Sequence, residues 1–326
     1  MQNMISILMS IYNETAKQIC EAVESLLSQT YQNFELIVIN DNPNRNDVKE
    51  ILASYKDTRI RLYQNETNLG LAMSMNKAAE LSSSEVEFFA RMDADDIAEP
   101  NRLEKSYTVL SSWQYDLVFS DYSYIDEKSN EIHNRDPHTI YTSEELTMAL
   151  GIKNVIHHPT VMFTRSIFEK VGGYRDFPCS QDADLWFRMY EAGCRFKMLP
   201  DKLLKYRINS NSVSNKKWYQ QQLTCSYIYD LSIERLKNHG EDSFSSESYH
   251  EYLRKWGVCD KKKEAELRYA YHCLEKANVL GREGHKLQSF VLRLWVFIIS
   301  SFMRRHILNV KRKRLLLRQK GISINK

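Results

Sequence analysis

Strand and helix signals alternate along the first 120 residues, and this alternation restricts the fold more than any other feature of the chain. Continuous apolar runs such as MISILMSI and FELIVIN are typical of strands, whereas TAKQICEAVESLLSQT and LGLAMSMNKAAEL have helical spacing. Strands at RIRLYQN and VEFFARM and a helix around DVKEILASY complete a βαβαβαβ series. Such a series predicts an α/β domain with a mostly parallel sheet and flanking helices, in which ligands bind beyond the carboxyl ends of the strands.

The pattern changes twice further along the chain. Shorter strands and loops follow residue 120, including DLVFSDYSYID and HHPTVMFTRS, with one helix over DADLWFRMYEAG. Beyond NSNSVSN the chain becomes mainly helical, with long apolar periodicity in KKWYQQQLTCSYIYDLSIERLKN and KKKEAELRYAYHCLEKANVL, separated by the linker or turn GEDSFSSES. We therefore expect one domain over residues 1–215, with halves 1–120 and 121–215, and a helical C-terminal region over residues 216–326.

Cysteine usage and the N-terminus favour a cytosolic protein. The six cysteines have no CxxC spacing, which argues against a zinc site or a disulfide framework and favours reduced thiols. The opening segment MQNMISILMSIYNE lacks the charged n-region of a signal peptide and has the pattern of a first strand. No segment reaches the roughly 18 to 20 uninterrupted apolar residues of a membrane-spanning helix.

The end of the chain differs in charge from the rest. After Glu283 there are 11 Lys and Arg and no Asp or Glu, whereas the first 283 residues hold 34 basic and 42 acidic residues. A basic block of this kind indicates a nucleic acid or an anionic membrane surface as partner.

An apolar segment, Phe290 to Met303, lies within this basic amphipathic tail of residues 286–320. A helix over these 14 residues would span about 21 Å, short of the roughly 30 Å hydrocarbon core of a bilayer. We expect it to lie in the interface of an anionic membrane, with the cations that follow it near the headgroups. The alternative is a core helix that packs on the first domain and ends in a solvated basic segment.

Three carboxylates follow the last predicted strand of the series, in the segment FFARMDADDIAEPNRL. Like charges a few ångströms apart raise one another's pKa unless a cation or several hydrogen-bond donors compensate. Capping of the next helix would explain Asp96, which lies shortly before Pro100. It does not explain Asp93, and a divalent cation is the other interpretation.

Four segments occur in a fixed order, namely SILMSIYNE, LIVINDNP, MDADD and CSQDADLWFRMYEAG. Together they resemble the inverting family 2 nucleotide-sugar glycosyltransferases of GT-A fold, over roughly residues 4 to 215. Because a lone DxD is common by chance, the specificity comes from order and spacing. The resemblance implies a Rossmann-like GT-A catalytic domain over residues 1–215, with a nucleotide-binding half followed by an acceptor-binding half.

The resemblance also implies a nucleotide-sugar site at the strand ends. Asp93 and Asp95 would form the DxD motif, with Asp95 as the more direct ligand of Mn²⁺ or Mg²⁺ and Asp93 facing the ribose or a metal-bound water. Asp41 corresponds to the acid that accepts the uracil N3 proton, and Tyr12 closes the strand beside it. From the residues alone, Asp41 is nearly as well explained as an Asx-turn residue and Tyr12 as a half-buried aromatic.

An inverting transferase needs a base for the acceptor hydroxyl. By resemblance, Asp182 in SQDADLW is that base and Asp184 is its main competitor, although either could instead cap the helix that follows. His157, His158, Asp184 and Trp186 would lie on the acceptor side. Loop packing or hydrogen bonding is the more general explanation of a histidine such as His158.

Two positions depart from the family's pattern. Gln181 precedes the expected base where glutamate is usual, which removes a neighbouring charge. Asn209 replaces a histidine found in many relatives, which predicts weaker metal affinity. The absence of a QxxRW motif disfavours a processive membrane synthase.

These features predict metal-dependent, inverting transfer of a sugar from a UDP-sugar to a glycan acceptor. The expected acceptor is an oligosaccharide on polyprenyl diphosphate in O-antigen or capsule synthesis. The protein would be cytoplasmic and peripherally associated with the inner face of the cell membrane. The alternatives are a non-catalytic nucleotide-sugar-binding protein and a nucleic-acid-binding protein, although the tail lacks interleaved aromatics and a recognisable nucleic-acid module.

Overall fold

The computed structural model describes residues 3–132, 139, 141–142, 145–146, 149, 154–208 and 217–319. The chain divides into two compact units, Met1–Ser212 and Val213–Lys326. The domain boundary expected at residue 215 lies close to this division. Asn209, singled out above, lies outside the described residues.

Within the described residues, the first unit contains one eight-stranded sheet. The strands are β1 (Met4–Ile11), β2 (Phe34–Asn40), β3 (Ile60–Gln64), β4 (Val86–Asp93), β5 (Ile97–Ala98), β6 (Leu117–Ile125), β7 (Val161–Thr164) and β8 (Phe196–Arg207). Their spatial order is β3-β2-β1-β4-β7-β6-β8-β5. Pairing is parallel from β3 to β4 and between β6 and β8, whereas β7 and β5 pair antiparallel to their neighbours. The predicted mostly parallel sheet is confirmed.

Helices cover both faces of this sheet. They are α1 (Ala16–Leu27), α2 (Asp47–Ala53), α3 (Leu71–Glu80), α4 (Arg102–Leu110), α5 (Arg165–Lys170) and α6 (Gln181–Glu191). One core contains residues of α1, α2 and α4 together with Ile5, Ile7 and Met9 of β1, and the other contains residues of α3, α5 and α6 together with Leu8. Because successive side chains of a strand point to opposite faces, the apolar runs of the sequence fill both cores.

Strand register brings the candidate functional residues to one edge. Ser10 of β1 lies opposite Asp93 of β4, and Ile11 lies opposite Asn40 of β2. The three strands therefore end together, and the residues that follow them meet at the carboxyl edge of the sheet.

The second unit has helices joined by short loops, and no strand, in its described part. Its helices are α7 (Trp218–Lys237), α8 (Ser246–Trp256), α9 (Lys261–Arg282), α10 (Lys286–Ile299) and α11 (Ser301–Gln319). The two helices predicted from periodicity correspond to α7 and α9. The GEDSFSSES segment is only partly a linker, because Ser245 caps α8 by accepting a hydrogen bond from the backbone N–H of Ser248.

The apolar segment from Phe290 to Met303 is not one helix, as the sequence analysis had assumed. Ser300 has extended backbone, with φ −112° and ψ 110°, so α10 ends there and α11 begins at the next residue. No single helix among the described residues is long and apolar enough to cross a membrane; α10 and α11 meet that test only as a pair, and the pair is bent by 112°.

Candidate active site

Carboxylates of β1 and β4 come together at the carboxyl edge of the sheet. Asp93 is the last residue of β4, Asp95 follows it, and Glu14 follows β1. Burial, and then the charges of Asp93 and Glu14, raise the pKa of Asp95 to about 7. Burial also raises the pKa of Glu14, to which the charge of Asp93 contributes. This group of carboxylates therefore favours a positively charged ligand. Glu14 belongs to the group, and the sequence analysis did not identify it.

Two buried arginines form hydrogen bonds to the DxD segment. Arg91 is 1% exposed and donates a hydrogen bond from Nη2 to the Asp93 carboxylate. Arg207, the last residue of β8, donates from Nε to the backbone carbonyl of Asp95 at 2.7 Å and from Nη2 to Glu21 at 2.8 Å. The backbone of the DxD segment is thus fixed by a side chain from the far end of the sheet.

Asp96 has a structural role rather than a capping role. Its Oδ1 accepts a hydrogen bond from the backbone N–H of Arg207 at 2.9 Å, and the side chain is fully buried. The next helix, α4, begins after Asn101. The capping explanation of Asp96 is therefore wrong, and Asp96 instead ties the DxD segment to β8.

Asp41 organises the loop between β3 and α3. Its Oδ1 accepts hydrogen bonds from Asn65 Nδ2 and from the Leu69 N–H, both at 2.8 Å, and its Oδ2 accepts from the Gly70 N–H at 2.9 Å. Gly70 has φ +80°, a conformation that favours glycine. Tyr12, which follows β1, is 41% exposed, and the Asp41 N–H donates to the carbonyl of Ile11, the residue before Tyr12, at 2.8 Å. The two residues lie together as expected, and Asp41 already has three protein donors.

Asp182 is the second residue of α6, near the helix N-terminus. Burial raises the pKa of its carboxyl, while the backbone N–H of Ala183 and the side chain of Asn154 lower it; Asn154 Nδ2 donates to Asp182 Oδ2 at 3.1 Å. The charge of Asp93 raises the same pKa, so Asp182 lies within electrostatic range of the DxD segment. Ser180, just before α6, has a left-handed backbone with φ +58°, a strained geometry of the kind found at functional sites.

The geometry does not favour an acceptor role for Asp184 or Trp186. Asp184 is fully buried, and its Oδ2 accepts from Arg188 Nε at 2.7 Å. The same Arg188 donates to the carbonyl of Gly173 at 2.8 Å. Trp186 is also fully buried and packs against Phe163, with ring centroids 6.2 Å apart. Trp186 packs α6 against the strand that carries Phe163, and Asp184 holds Arg188, which ties α6 to Gly173. Both side chains therefore belong to the core of the domain.

His158 is buried as well, at 9% exposure, and its Nε2 lies 2.8 Å from the hydroxyl of Tyr174. Burial, and then the positive charge of Arg91, lower the pKa of His158 well below its ordinary value, so the imidazole is neutral. This placement makes His158 a buried hydrogen-bond partner of Tyr174 rather than a group that faces an acceptor.

An aromatic cluster, of which the sequence analysis identified only His157, lies beside the carboxylates. His157 stacks on Tyr122 with centroids 4.2 Å apart and meets Tyr206 edge to face at 4.4 Å. The pKa of Tyr206 is raised by burial and then by the charges of the DxD segment, beginning with Asp93. The tyrosines near the ends of β6 and β8 are the sequence signal that could have indicated this cluster, since both strands end near this edge.

The described residues supply only some of the ligands that a metal ion needs. Among the residues that the structure describes, no three His, Cys, Asp or Glu side chains are grouped so that they could hold a metal ion. Mg²⁺ is commonly bound through one or two carboxylates together with substrate phosphates and waters. Asp93 and Asp95, in an environment that favours added positive charge, fit this second arrangement.

Comparisons with known proteins agree with the resemblance. The model of glycosyl transferase family 2 matches residues 6–172. An uncharacterised glycosyltransferase of Methanocaldococcus jannaschii is 36% identical over 63% of this chain and 71% of its own length. The putative glycosyltransferase EpsE of Bacillus subtilis is 34% identical, over 65% of this chain and 76% of its own. The O-antigen biosynthesis glycosyltransferase WbnJ of Escherichia coli is 31% identical, over 64% of this chain and 82% of its own.

Solved structures share the fold. S. aureus TarS 1-349 in complex with UDP-GlcNAc matches with a TM-score of 0.58, over 97% of this chain and 92% of that one, at 14% identity. The likeness supports a GT-A-like domain followed by a helical region. From the family match over half of the chain and from these relatives, the protein belongs to glycosyltransferase family 2.

Proposed function

We propose that the protein transfers a sugar from a UDP-sugar to a hydroxyl group of a glycan, with inversion at the anomeric carbon. The observation that carries the proposal is the meeting of Tyr12, Asp41, Asp93 and Asp95 at one edge of the sheet, with Asp182 within electrostatic range of Asp93. The family membership and the UDP-GlcNAc complex of TarS support a nucleotide-sugar donor.

The nucleotide would lie across the ends of β1 and β2. The exposed ring of Tyr12 would contact the uracil face, because an aromatic surface favours stacking. Asp41 Oδ1 accepts two hydrogen bonds and Oδ2 accepts one, from the Gly70 N–H, so Oδ2 is the atom that we assign to the uracil N3–H. Asp93 and Asp95 would hold Mn²⁺ or Mg²⁺, which supplies neutralising charge for the departing diphosphate.

Asp182 would act as the base. Its carboxylate takes the proton of the acceptor hydroxyl while that oxygen forms a bond to the anomeric carbon, and the bond from that carbon to the diphosphate oxygen breaks. Attack from the face opposite the leaving UDP inverts the configuration. Because burial raises the pKa of Asp182, the carboxylate is a stronger base than an exposed aspartate.

The acceptor we propose is a polyprenyl-diphosphate-linked oligosaccharide of a surface polysaccharide. The named O-antigen function of the Escherichia coli relative supports this choice. The six cysteines are free thiols, which suits a cytoplasmic protein, and we propose peripheral association with the inner face of the cell membrane.

Nucleotide release by the purified protein tests the donor. UDP-Glc, UDP-Gal, UDP-GlcNAc and UDP-GalNAc are compared with Mn²⁺, with Mg²⁺ and with a chelator, in the presence of a lipid-linked glycan acceptor. We expect one donor to be used in preference and the chelator to stop turnover. Tight UDP binding without turnover of any donor would instead support a non-catalytic binding protein.

A further inference from the structure

Six large apolar side chains form one exposed stripe along α10. Their exposed fractions range from 46% for Trp295 to 76% for Leu287. The positions follow the spacing i, i+3, i+4, i+7, i+8 and i+11, which places them on one face of a helix. This apolar stripe consists of Leu287, Phe290, Val291, Leu294, Trp295 and Ile298. A helix on a soluble protein normally buries such a face, so the orientation of α10 is the reverse of the usual one.

Specific contacts with α9 fix this orientation. On the opposite face of α10, Ser289 Oγ donates to the backbone carbonyl of Ala277 at 2.7 Å, and Arg293 Nη2 donates to Asn278 Oδ1 at 2.6 Å. Val296, on the same inward side as Ser289, is fully buried. Polar and apolar contacts with α9 hold the opposite face of α10. The apolar stripe is therefore left exposed.

The following helix presents a second exposed row, of mixed character. Leu308 and Leu315 are 50% and 59% exposed, and Lys311, Arg312 and Arg318 are exposed between and beyond them. These five positions follow the spacing i, i+3, i+4, i+7 and i+10, again one helix face. We refer to this row as the cationic stripe. No Asp or Glu occurs in the sequence after Glu283, so both helices carry basic residues and no acidic ones.

The geometry points to an anionic lipid surface as the partner of these two helices. The apolar stripe enters the interface between headgroups and acyl chains, with α10 lying in the membrane plane, and the cationic stripe contacts lipid phosphates. Tryptophan is enriched at this depth of a bilayer, which suits Trp295. The core-helix alternative of the sequence analysis does not account for six exposed side chains on one face.

Charge decides between this partner and a second copy of the chain. Two copies joined through these helices would bring two positive surfaces together, whereas an anionic leaflet complements them. A nucleic acid would complement the cationic stripe but not the apolar stripe. The inference deepens the peripheral membrane association proposed above by naming its surface and its lipid class. It can fail or hold independently of the proposed reaction, because lipid binding requires neither a donor nor turnover.

Vesicle flotation of the full-length protein tests the inference without any nucleotide sugar. Vesicles of phosphatidylglycerol and phosphatidylcholine are compared with pure phosphatidylcholine at low and high salt. We expect binding to the anionic vesicles that weakens with salt. The combined variant Phe290→Ser, Leu294→Ser and Ile298→Ser should bind at least tenfold more weakly. The control variant Tyr269→Ser and Val279→Ser, which alters exposed apolar residues of α9, should bind like the parent.

A second pair of variants isolates the charge. Lys311→Gln, Arg312→Gln and Arg318→Gln together should remove the preference for anionic lipid, whereas Lys261→Gln, Lys262→Gln and Lys263→Gln, at exposed positions of α9, should leave it. Circular dichroism melting verifies that each variant is folded.

Fluorescence with brominated lipid reports the position of the helix. Emission of the parent should be quenched by vesicles that carry brominated acyl chains, and Trp295→Phe should lose most of that quenching while still floating. Unchanged flotation of the apolar-stripe variant would overturn the inference. A second contrary outcome is a dimer of the parent, seen by sedimentation velocity, that the apolar-stripe variant dissociates while its vesicle binding is kept. A third is retention of the parent on DNA with no binding to vesicles.

Discussion

Arg207 donates a hydrogen bond from Nε to the backbone carbonyl of Asp95 at 2.7 Å, although the two residues are 112 positions apart in the chain. Through its own N–H, Arg207 also holds the buried carboxylate of Asp96. Its side chain is fully buried and ion-paired to Glu21 at 2.8 Å. The position of the candidate metal ligands therefore depends on the last residue of β8, and not only on the strand that carries them.

Replacing Arg207 should weaken both the fold and the site. Arg207→Met removes the guanidinium that bonds to Glu21 and to the backbone carbonyl of Asp95, and breaking a buried pair costs about 3 kcal/mol or more in the free energy of unfolding. Urea denaturation measures this loss. The matched control is Arg195→Gln, because Arg195 pairs with Asp116 at the surface and such pairs contribute at most about 1 kcal/mol. Equal effects of the two variants would show that Arg207 has no special structural role.

Asp182→Asn should separate binding from chemistry. The amide has nearly the shape of the carboxylate but cannot take the acceptor proton, so transfer should fall roughly a hundredfold or more while UDP binding is retained. Single-turnover assays and calorimetry with UDP measure the two quantities.

Asp184→Asn should give the opposite result. Asp184 is fully buried against Arg188, so its loss leaves a buried guanidinium without its ion partner and should lower stability by about 3–5 kcal/mol. In the protein that remains folded, the transfer rate per active site should stay near that of the parent. Retained transfer in Asp182→Asn combined with lost transfer in Asp184→Asn would reassign the base.

The pH dependence of transfer should report the environment of Asp182. Burial raises its pKa, and the ionised form is the base, so activity should be lost as the pH falls through a value above that of an ordinary aspartate. Asn154 lowers this pKa through its hydrogen bond, so Asn154→Ala should move the acidic limb of the kcat profile to higher pH. A limb that stays in place in Asn154→Ala would assign the titration to another group.

Local pattern was sufficient to predict the alternating strands and helices of the first 93 residues. There β1, β2 and β4 are largely buried apolar runs, β3 is half-buried, and α1 begins at a capping box formed by Thr15 and Gln18. The same pattern correctly placed Tyr12, Asp41 and Asp93 at strand ends, because parallel strands share one carboxyl edge.

Contacts distant in sequence account for what was missed. No local signal joins Arg207 to Asp95, or places Glu14 near the DxD segment, because these contacts exist only after the sheet has closed. The break at Ser300 is similar: Phe302 packs edge to face on Trp256 of α8, with ring centroids 5.2 Å apart, and the apolar sequence on both sides gives no sign of a bend. Asp184 and Trp186 have the residue types of an acceptor site, and only burial identifies them as core.

Asp95→Ala should abolish the response to metal. Asp95 lies where burial and the charges of Asp93 and Glu14 make added positive charge favourable, so its removal should lower transfer by two or more orders of magnitude and eliminate stimulation by Mn²⁺ or Mg²⁺. Stability should not fall, because the change relieves repulsion among neighbouring carboxylates. Asp201→Ala, at a partly exposed acid that pairs with Lys105, is the control and should retain both activity and metal response. Calorimetric titration of UDP with and without Mn²⁺ provides a second readout, in which the parent binds UDP more tightly with Mn²⁺ and Asp95→Ala binds it equally in both conditions. Metal-stimulated transfer by Asp95→Ala near the parent level would exclude Asp95 as the ligand.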